Sequence, residues 1–325
     1  MAGFRKAKAE QAALKIGLYG KAGSGKTFTS LLIGEGLAKH DGKRLAMVDT
    51  EHGADFYSMN VPERRVHPAA FEFDALYSRG MMEVLQECLK IDPKEYSCVV
   101  LDSMTHLWQV CIDSYTGKKG PDGQIPLQAW GPIKRPYKAL MQWMLSTTMH
   151  VIICGRQGIE YGVNVENEEL EVKGYKMKAE GETGYEPHIL IRLEELRQQN
   201  KESIPTAYVE KDRTGILQGR AIPWPNYESV AEPMLKLLGS SQAVIDSDQA
   251  ALADAESRVV EEGEKSVKSE RTKEDFLARL TLAKTKKEVE TISKEITPQL
   301  KKEMLTEHVT ELRERYLERL EQVSA

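Results

Sequence analysis

Between residues 20 and 27 the chain reads Gly20-Lys21-Ala22-Gly23-Ser24-Gly25-Lys26-Thr27, glycines, a lysine and a hydroxyl at the spacing G-x-x-x-x-G-K-[ST]. These residue types suit a nucleoside triphosphate. Glycines let the backbone approach phosphate oxygens, the amides of Gly23, Ser24 and Gly25 point inward, and a following helix adds its positive end. Lys26 is expected to reach the β- and γ-phosphates and Thr27 to bind a magnesium ion, with nucleotide contacts running from Gly20 to Phe28. An ordinary glycine turn is the bland alternative.

The flanks agree with the motif. Ile16, Leu18 and Tyr19 form a strand-like run before it, and Phe28, Leu31, Leu32 and Leu37 follow at helical spacing. Two further strand-like runs end in acids. Arg44 to Asp49 leads into Asp49-Thr50-Glu51-His52-Gly53, where Glu51 faces the ligand crevice of an open α/β sheet and is placed to polarise a water. Capping the next helix is the other use of acids there. After a helix over Arg79 to Leu89, Ser97-Cys98-Val99-Val100-Leu101-Asp102-Ser103 ends in Asp102, expected to hold magnesium through water, while Ser103 anchors the turn. Many P-loop motors put a glutamate directly after that aspartate. Serine stands there instead, so the base must come from elsewhere and Glu51 is the natural candidate. A third run, Val151 to Gln157, brings Arg156 or Gln157 to the same crevice as a γ-phosphate sensor.

Residues 114–137 read as a Gly/Pro-rich loop in which Lys118, Lys119, Trp130, Lys134 and Arg135 suit single-stranded nucleic acid. A solvated surface loop of the same composition is commonplace. A helix is expected from Ala139 to Ser146, and the stretch from Gly158 to Gly184 as a partly ordered hairpin and second candidate for polymer contact. Strands follow over Ile189 to Leu196 and Thr206 to Lys211. Lys211 and Arg213, at i and i+2, project to one side, as fingers into a neighbouring subunit's γ-phosphate or as a solvated hairpin tip.

Composition bounds the rest. The chain has 325 residues, 41% hydrophobic and 29% charged, with a formal charge of −5. That is ample for one large domain plus an appendage, and it argues against a strongly basic nucleic-acid wrapper. Cys88, Cys98, Cys111 and Cys154 are scattered without a C-x-x-C pair and are expected as small core residues. No run of about 18 apolar residues occurs and the N-terminus lacks a secretory pattern, so the expected location is the cytoplasm, with no membrane partner. The division reads as an arm over 1–14, a core over 15–239, a linker over 240–270 and a helical module over 271–325. In that module Thr272 with Asp275 and Thr285 with Glu288 match capping boxes, Thr297-Pro298 a third helix start, and three short helices are expected. Packing of those helices is the plain reading; association is the functional one.

Together the motifs resemble the RecA/RadA-type recombinase core. Met47 to Gly53 looks like that family's strand with the catalytic glutamate, Val99 to Ser103 like its magnesium-aspartate strand, and Ile153 to Val163 like its sensor strand running into a DNA loop. Val209 to Arg213 is similar to the segment supplying cations across its subunit interface. Gly3-Phe4-Arg5-Lys6-Ala7 through the phosphate loop looks closer to phage-encoded Sak-type RecA-like single-strand annealing ATP-binding proteins. The resemblance spans residues 3–240 and implies an α/β fold, a RecA-like core with a mainly parallel sheet, plus a small all-α C-terminal module. It implies ATP and Mg2+, single-stranded DNA, and a homo-oligomeric ring or filament in the host cytoplasm. Lys211 and Arg213 would complete a neighbour's site, and the C-terminal helices would reach a single-stranded DNA-binding protein or replication partner. The alternatives are a ring-forming helicase or translocase subunit and a nucleotide-gated partner-binding protein with little turnover.

Overall fold

Short apolar runs broken by glycine and polar turns pair into one nine-stranded sheet, of order β3-β2-β4-β5-β1-β7-β8-β9 with β6 added to β5. The strands are β1 (Lys15–Gly20), β2 (Arg44–Asp49), β3 (Asp74–Tyr77), β4 (Tyr96–Asp102), β5 (His150–Val163), β6 (Leu170–Met177), β7 (Ile189–Leu196), β8 (Ile204–Asp212) and β9 (Ala221–Pro223). The computed structural model describes residues 13–117, 124–163, 170–196, 203–239, 268–269 and 271–324. The chain divides into two compact units, Met1–Leu252 and Ala253–Ala325.

The six strands from β3 to β7 are parallel, and β8 and β9 extend the sheet antiparallel. Every residue of β1 is buried, as a strand covered on both faces requires. Alternate residues Ile16, Leu18, Val100 and Ile152 join Leu31, Ile33 and Leu37 of helix α1 (Lys26–Asp41) in one core cluster. Helix α5 (Tyr227–Gly239) packs on α1. Their closeness rests on Gly36, where an added Cβ would lie 2.3 Å from Tyr227 Cβ.

Helices α2 (Met81–Lys90), α3 (Met104–Asp113) and α4 (Trp130–Ser146) pack on one another. The start of α4 corrects the expected loop over 114–137. Ile133, Tyr137, Leu140 and Met144 recur at helical spacing and are buried, and that stripe outweighs the prolines. Pro132 falls in the first turn, where its missing N–H would have no partner in any case; only Pro136 removes a ladder bond.

The stretch from Gly158 to Gly184 holds a ribbon. β5 continues past the sheet and β6 returns antiparallel to it, from Gln157 opposite Met177 to Val163 opposite Leu170.

Among the described residues the second unit has helices α6 (271–282), α7 (Lys286–Glu295), α8 (Pro298–Glu303) and α9 (Thr306–Ser324), four where three were expected. Phe276, Leu280, Val289, Ile292, Met304 and Leu312 form its core. Thr285 and Glu288 make the reciprocal capping box, and Thr297 caps α8 with Pro298 at its first position. Thr272 is no cap: its Oγ1 donates to the Lys268 carbonyl at 2.9 Å, a bond made one turn back inside a helix. Of the linker expected over 240–270, only residues 268 and 269 are described, and both are helical.

Candidate active site

Strand register assembles the site. Gly20 pairs with Arg156, Asp49 with Asp102, and Cys154 with both Asp102 and Leu18, so the phosphate loop, both acids and the arginine lie within two residues of one sheet edge. This is the carboxyl edge, where open α/β sheets bind ligands. β5 lies between β1 and β4, so Arg156 emerges between the phosphate loop and Asp102.

The loop is shaped for close approach. Gly23 and Gly25 sit at φ 78° and 83°, which side chains disfavour, and nothing lies within 4 Å of a Cβ built on Gly23. At Gly20 the same construction meets the Leu193 carbonyl at 2.3 Å. Lys26 opens α1 with its Nζ on the Lys21 carbonyl at 2.7 Å. Lys21 and Ala22 are exposed at the loop tip, while Ser24 Oγ is buried with no hydrogen-bond partner among the described residues. The Phe28 side chain goes to packing, edge-on to Phe71 at 5.5 Å between ring centres and tilted against Tyr57 at 6.2 Å.

Thr27 Oγ1 donates to Asp102 Oδ2 at 2.5 Å. Burial, helped by the nearby Glu51 and Asp49, pushes the Asp102 carboxyl up to about 6 despite that bond. A buried acid facing other acids beside a threonine hydroxyl is the donor set a hard divalent cation relieves, so these residues fit magnesium. Gln157 Oε1, on the strand that carries Arg156, is likewise buried without a partner. Among the described residues no group of three or more His, Cys, Asp or Glu side chains makes another metal site. The four cysteines are free and buried.

Asp49 holds the turn after β2, accepting from the backbone N–H groups of Glu51, His52 and Ala54 at 2.7 to 2.9 Å. The Glu51 side chain is not used in that turn. Its Oε1 accepts from Arg156 Nη2 at 2.9 Å and lies 3.7 Å from His106 Nε2. The Arg156 backbone N–H donates to Thr105 Oγ1 at 2.9 Å, tying β5 to α3. Behind Glu51, Thr50 is fully buried: its N–H donates to the Asp102 carbonyl at 2.7 Å, its carbonyl accepts from Arg79 Nε at 2.6 Å, and its hydroxyl meets the Ser103 N–H at 2.9 Å. The Asp102–Ser103 peptide is cis.

Thr50, Thr105 and His106 escaped the sequence reading. The signal was local: His106 lies four residues past Asp102, on the first turn of the helix that begins there.

Other expected residues lie elsewhere. Lys211 stands opposite Leu190, which is level with Gly17, three residues before Gly20, so it is on the order of 10 Å from the phosphate-loop edge. Its Nζ donates to the Pro187 carbonyl at 2.7 Å and to that of Tyr185, and Arg213 follows in the turn after β8. The structure does not bring this pair to the chain's own phosphate loop. Trp130 stacks on Trp108 at 6.2 Å and Lys134 pairs with the buried Glu180 at 2.7 Å. Arg135 is on α4 beside them. Lys118 and Lys119 lie outside the described residues.

A glycine-rich loop joining a buried strand to a helix, with a threonine and a strand-end aspartate in contact, defines a P-loop nucleotide-binding protein of α/β fold. The chain matches the AAA domain family over residues 12–199 and belongs to it. Among solved structures, the crystal structure of the RadB recombinase is similar, at 18% identity and a TM-score of 0.41 over 66% of this chain and 87% of that one. No curated protein matches the chain in sequence. Among the described residues no helix is long and apolar enough to cross a membrane.

Proposed function

We propose that this chain is a magnesium-dependent ATPase of RecA-like type that works on single-stranded DNA in an oligomer, closest in kind to phage-encoded annealing ATPases. One observation carries the reading: Thr27 and Asp102 in contact at the sheet edge, with Glu51 facing them and tied to Arg156. Magnesium, held by Thr27 and Asp102, would offset charge on the β- and γ-phosphates. The loop amides and Lys26 bind the phosphates. Glu51 accepts a hydrogen bond from the attacking water and takes its proton as the γ-phosphorus bond to the leaving oxygen breaks, a role worth about 10²–10⁴-fold. Arg156 or Gln157 senses the γ-phosphate, and Lys211 and Arg213 serve a neighbouring subunit.

With Trp130 and Lys134 committed to internal contacts, the β5–β6 ribbon is the stronger DNA candidate. Ile159 stands opposite Tyr175 and Tyr161 opposite Val172, all four exposed on one face. Lys173 and Lys176 lie on the returning arm, each in an exposed ion pair, with Glu171 and Glu160, and Lys178 follows its end. Exposed rings beside cations suit stacked bases on a charged backbone.

The test is ATP turnover with and without single-stranded DNA, at two salt concentrations, for the wild-type chain and Glu51→Gln. Salt-sensitive stimulation that Glu51→Gln abolishes supports the reading. Turnover indifferent to DNA favours the nucleotide-gated partner-binding protein.

A further inference from the structure

We infer that His106 is a positioning residue for Glu51, held by Thr50 as the tautomer that carries its proton on Nε2. The inference rests on the reading of Glu51 as the base.

Hydrogen-bond accounting at Thr50 leads to it. The hydroxyl is buried, accepts from the Ser103 N–H at 2.9 Å, and has a single proton to place. His106 Nδ1, 2.8 Å away, is its acceptor partner among the described residues. Donation from Thr50 into Nδ1 gives the hydroxyl proton an acceptor and leaves the imidazole proton on Nε2. The opposite assignment strands the Thr50 proton in a buried position and turns an Nε2 lone pair on the Glu51 carboxylate, two costs at once.

Charge agrees with the geometry. Burial and the neighbouring Arg156 both hold the His106 imidazole below its ordinary range, so the ring stays neutral and keeps one proton to offer. That proton faces Glu51 Oε1 across 3.7 Å, longer than a hydrogen bond and in keeping with the looser spacing catalytic groups show before substrate closes on them.

Arg156 and His106 meet the same oxygen of Glu51. The arginine pair is about half exposed, with side-chain exposures of 53% and 49%, so it is weak and readily exchanged for a phosphate contact. The imidazole, 18% exposed and fixed from behind, then remains as the donor that aims the carboxylate. Ser103 N–H, Thr50 hydroxyl and His106 thus form a chain from the turn after Asp102 to the base.

The experiment has two arms on the full chain. Nitrogen-15 spectra of the nucleotide-free protein, with the His106 signals identified by their loss in His106→Gln, should show the Nε2–H tautomer, and Thr50→Val should convert it to a mixture. An Nδ1–H pattern in the wild-type chain overturns the inference. In turnover, His106→Leu should lower kcat about 10–100-fold with nucleotide affinity unchanged, and His106→Gln, which keeps a donor near that position, should recover most of it. Retained nucleotide affinity shows that each variant is folded. Abolished turnover in Glu51→Gln with wild-type turnover in His106→Leu sinks this inference alone. Wild-type turnover in Glu51→Gln removes the reading of Glu51 and the inference with it.

Discussion

Arg156 Nη2 donates to Glu51 Oε1 at 2.9 Å, joining the middle of β5 to the turn that follows β2. The contact links the proposed γ-phosphate sensor with the proposed base. Losing a charge-assisted hydrogen bond to the γ-phosphate is worth about 1.5–3 kcal/mol, so Arg156→Ala should weaken ATP binding about 10–100-fold while leaving ADP binding near its wild-type value. Calorimetric titration with each nucleotide checks this. An unchanged ratio of the two affinities would remove Arg156 as the sensor and leave Gln157.

His188 sets an acid limit on the first unit. Its Nδ1 accepts from the Lys15 N–H at 3.3 Å, and burial, helped by the Lys15, Arg213 and Lys211 cations, pushes the imidazole down to about 4. A histidine whose folded value is depressed binds fewer protons folded than unfolded, so stability rises with pH between the two values. Stability from this group should therefore be flat above pH about 6.5, fall as pH drops from 6.5 to 4, and level off below. Denaturant midpoints at pH 7.5 and 5 should differ, and His188→Gln should shrink the difference. An equal difference in both proteins would show that other groups carry the slope.

Tyr161 is 60% exposed on the ribbon, opposite Val172. If bases stack there, Tyr161→Ala should cost about 1–3 kcal/mol in single-stranded DNA affinity and nothing in nucleotide affinity. Fluorescence titration with a labelled oligonucleotide reads the first and a labelled nucleotide the second. Wild-type DNA affinity in the variant would move polymer contact off the ribbon face.

The capping box of α7 predicts a local effect. Thr285→Ala removes the side chain that accepts from the Glu288 N–H, and should cost about 1 kcal/mol of helix stability. Hydrogen exchange should quicken in residues 286–295 and stay unchanged in β1 and β4. Uniformly faster exchange would mean that α7 opens only with the whole chain.

The phosphate loop, Asp102 and Glu51 were legible because each rests on a local rule: a glycine spacing, or an acid at the end of an apolar run. The α/β class was legible for the same reason, since buried parallel strands read as continuous apolar runs. What could not be read depends on distant pairing. Trp130 and Lys134 look like loop residues until Trp108 and Glu180 are placed beside them. Asp49 and Glu51 are both acids at one strand end, and only the hydrogen bonds that Asp49 accepts from the amide groups of Glu51, His52 and Ala54 separate the acid that holds the turn from the candidate base. Thr50 and His106 are 56 positions apart, and their contact exists only because β2 and β4 are neighbours.

β5 runs without a break from His150 to Val163, serving first as a central strand between β1 and β4 and then as one arm of the ribbon. It is in mechanical terms a lever whose fulcrum is the nucleotide edge. Its free arm from Arg156 to Val163 is about 23 Å long, so a tilt of about 10° at the root carries the tip about 4 Å. Tyr19, the residue before Gly20, donates its hydroxyl to Glu210 Oε2 on β8 at 2.5 Å and lies 3.2 Å from the Tyr175 carbonyl of β6, the strand paired with this arm. Rotation of the ribbon is therefore felt, through that hydroxyl, at the strand that ends in the phosphate loop.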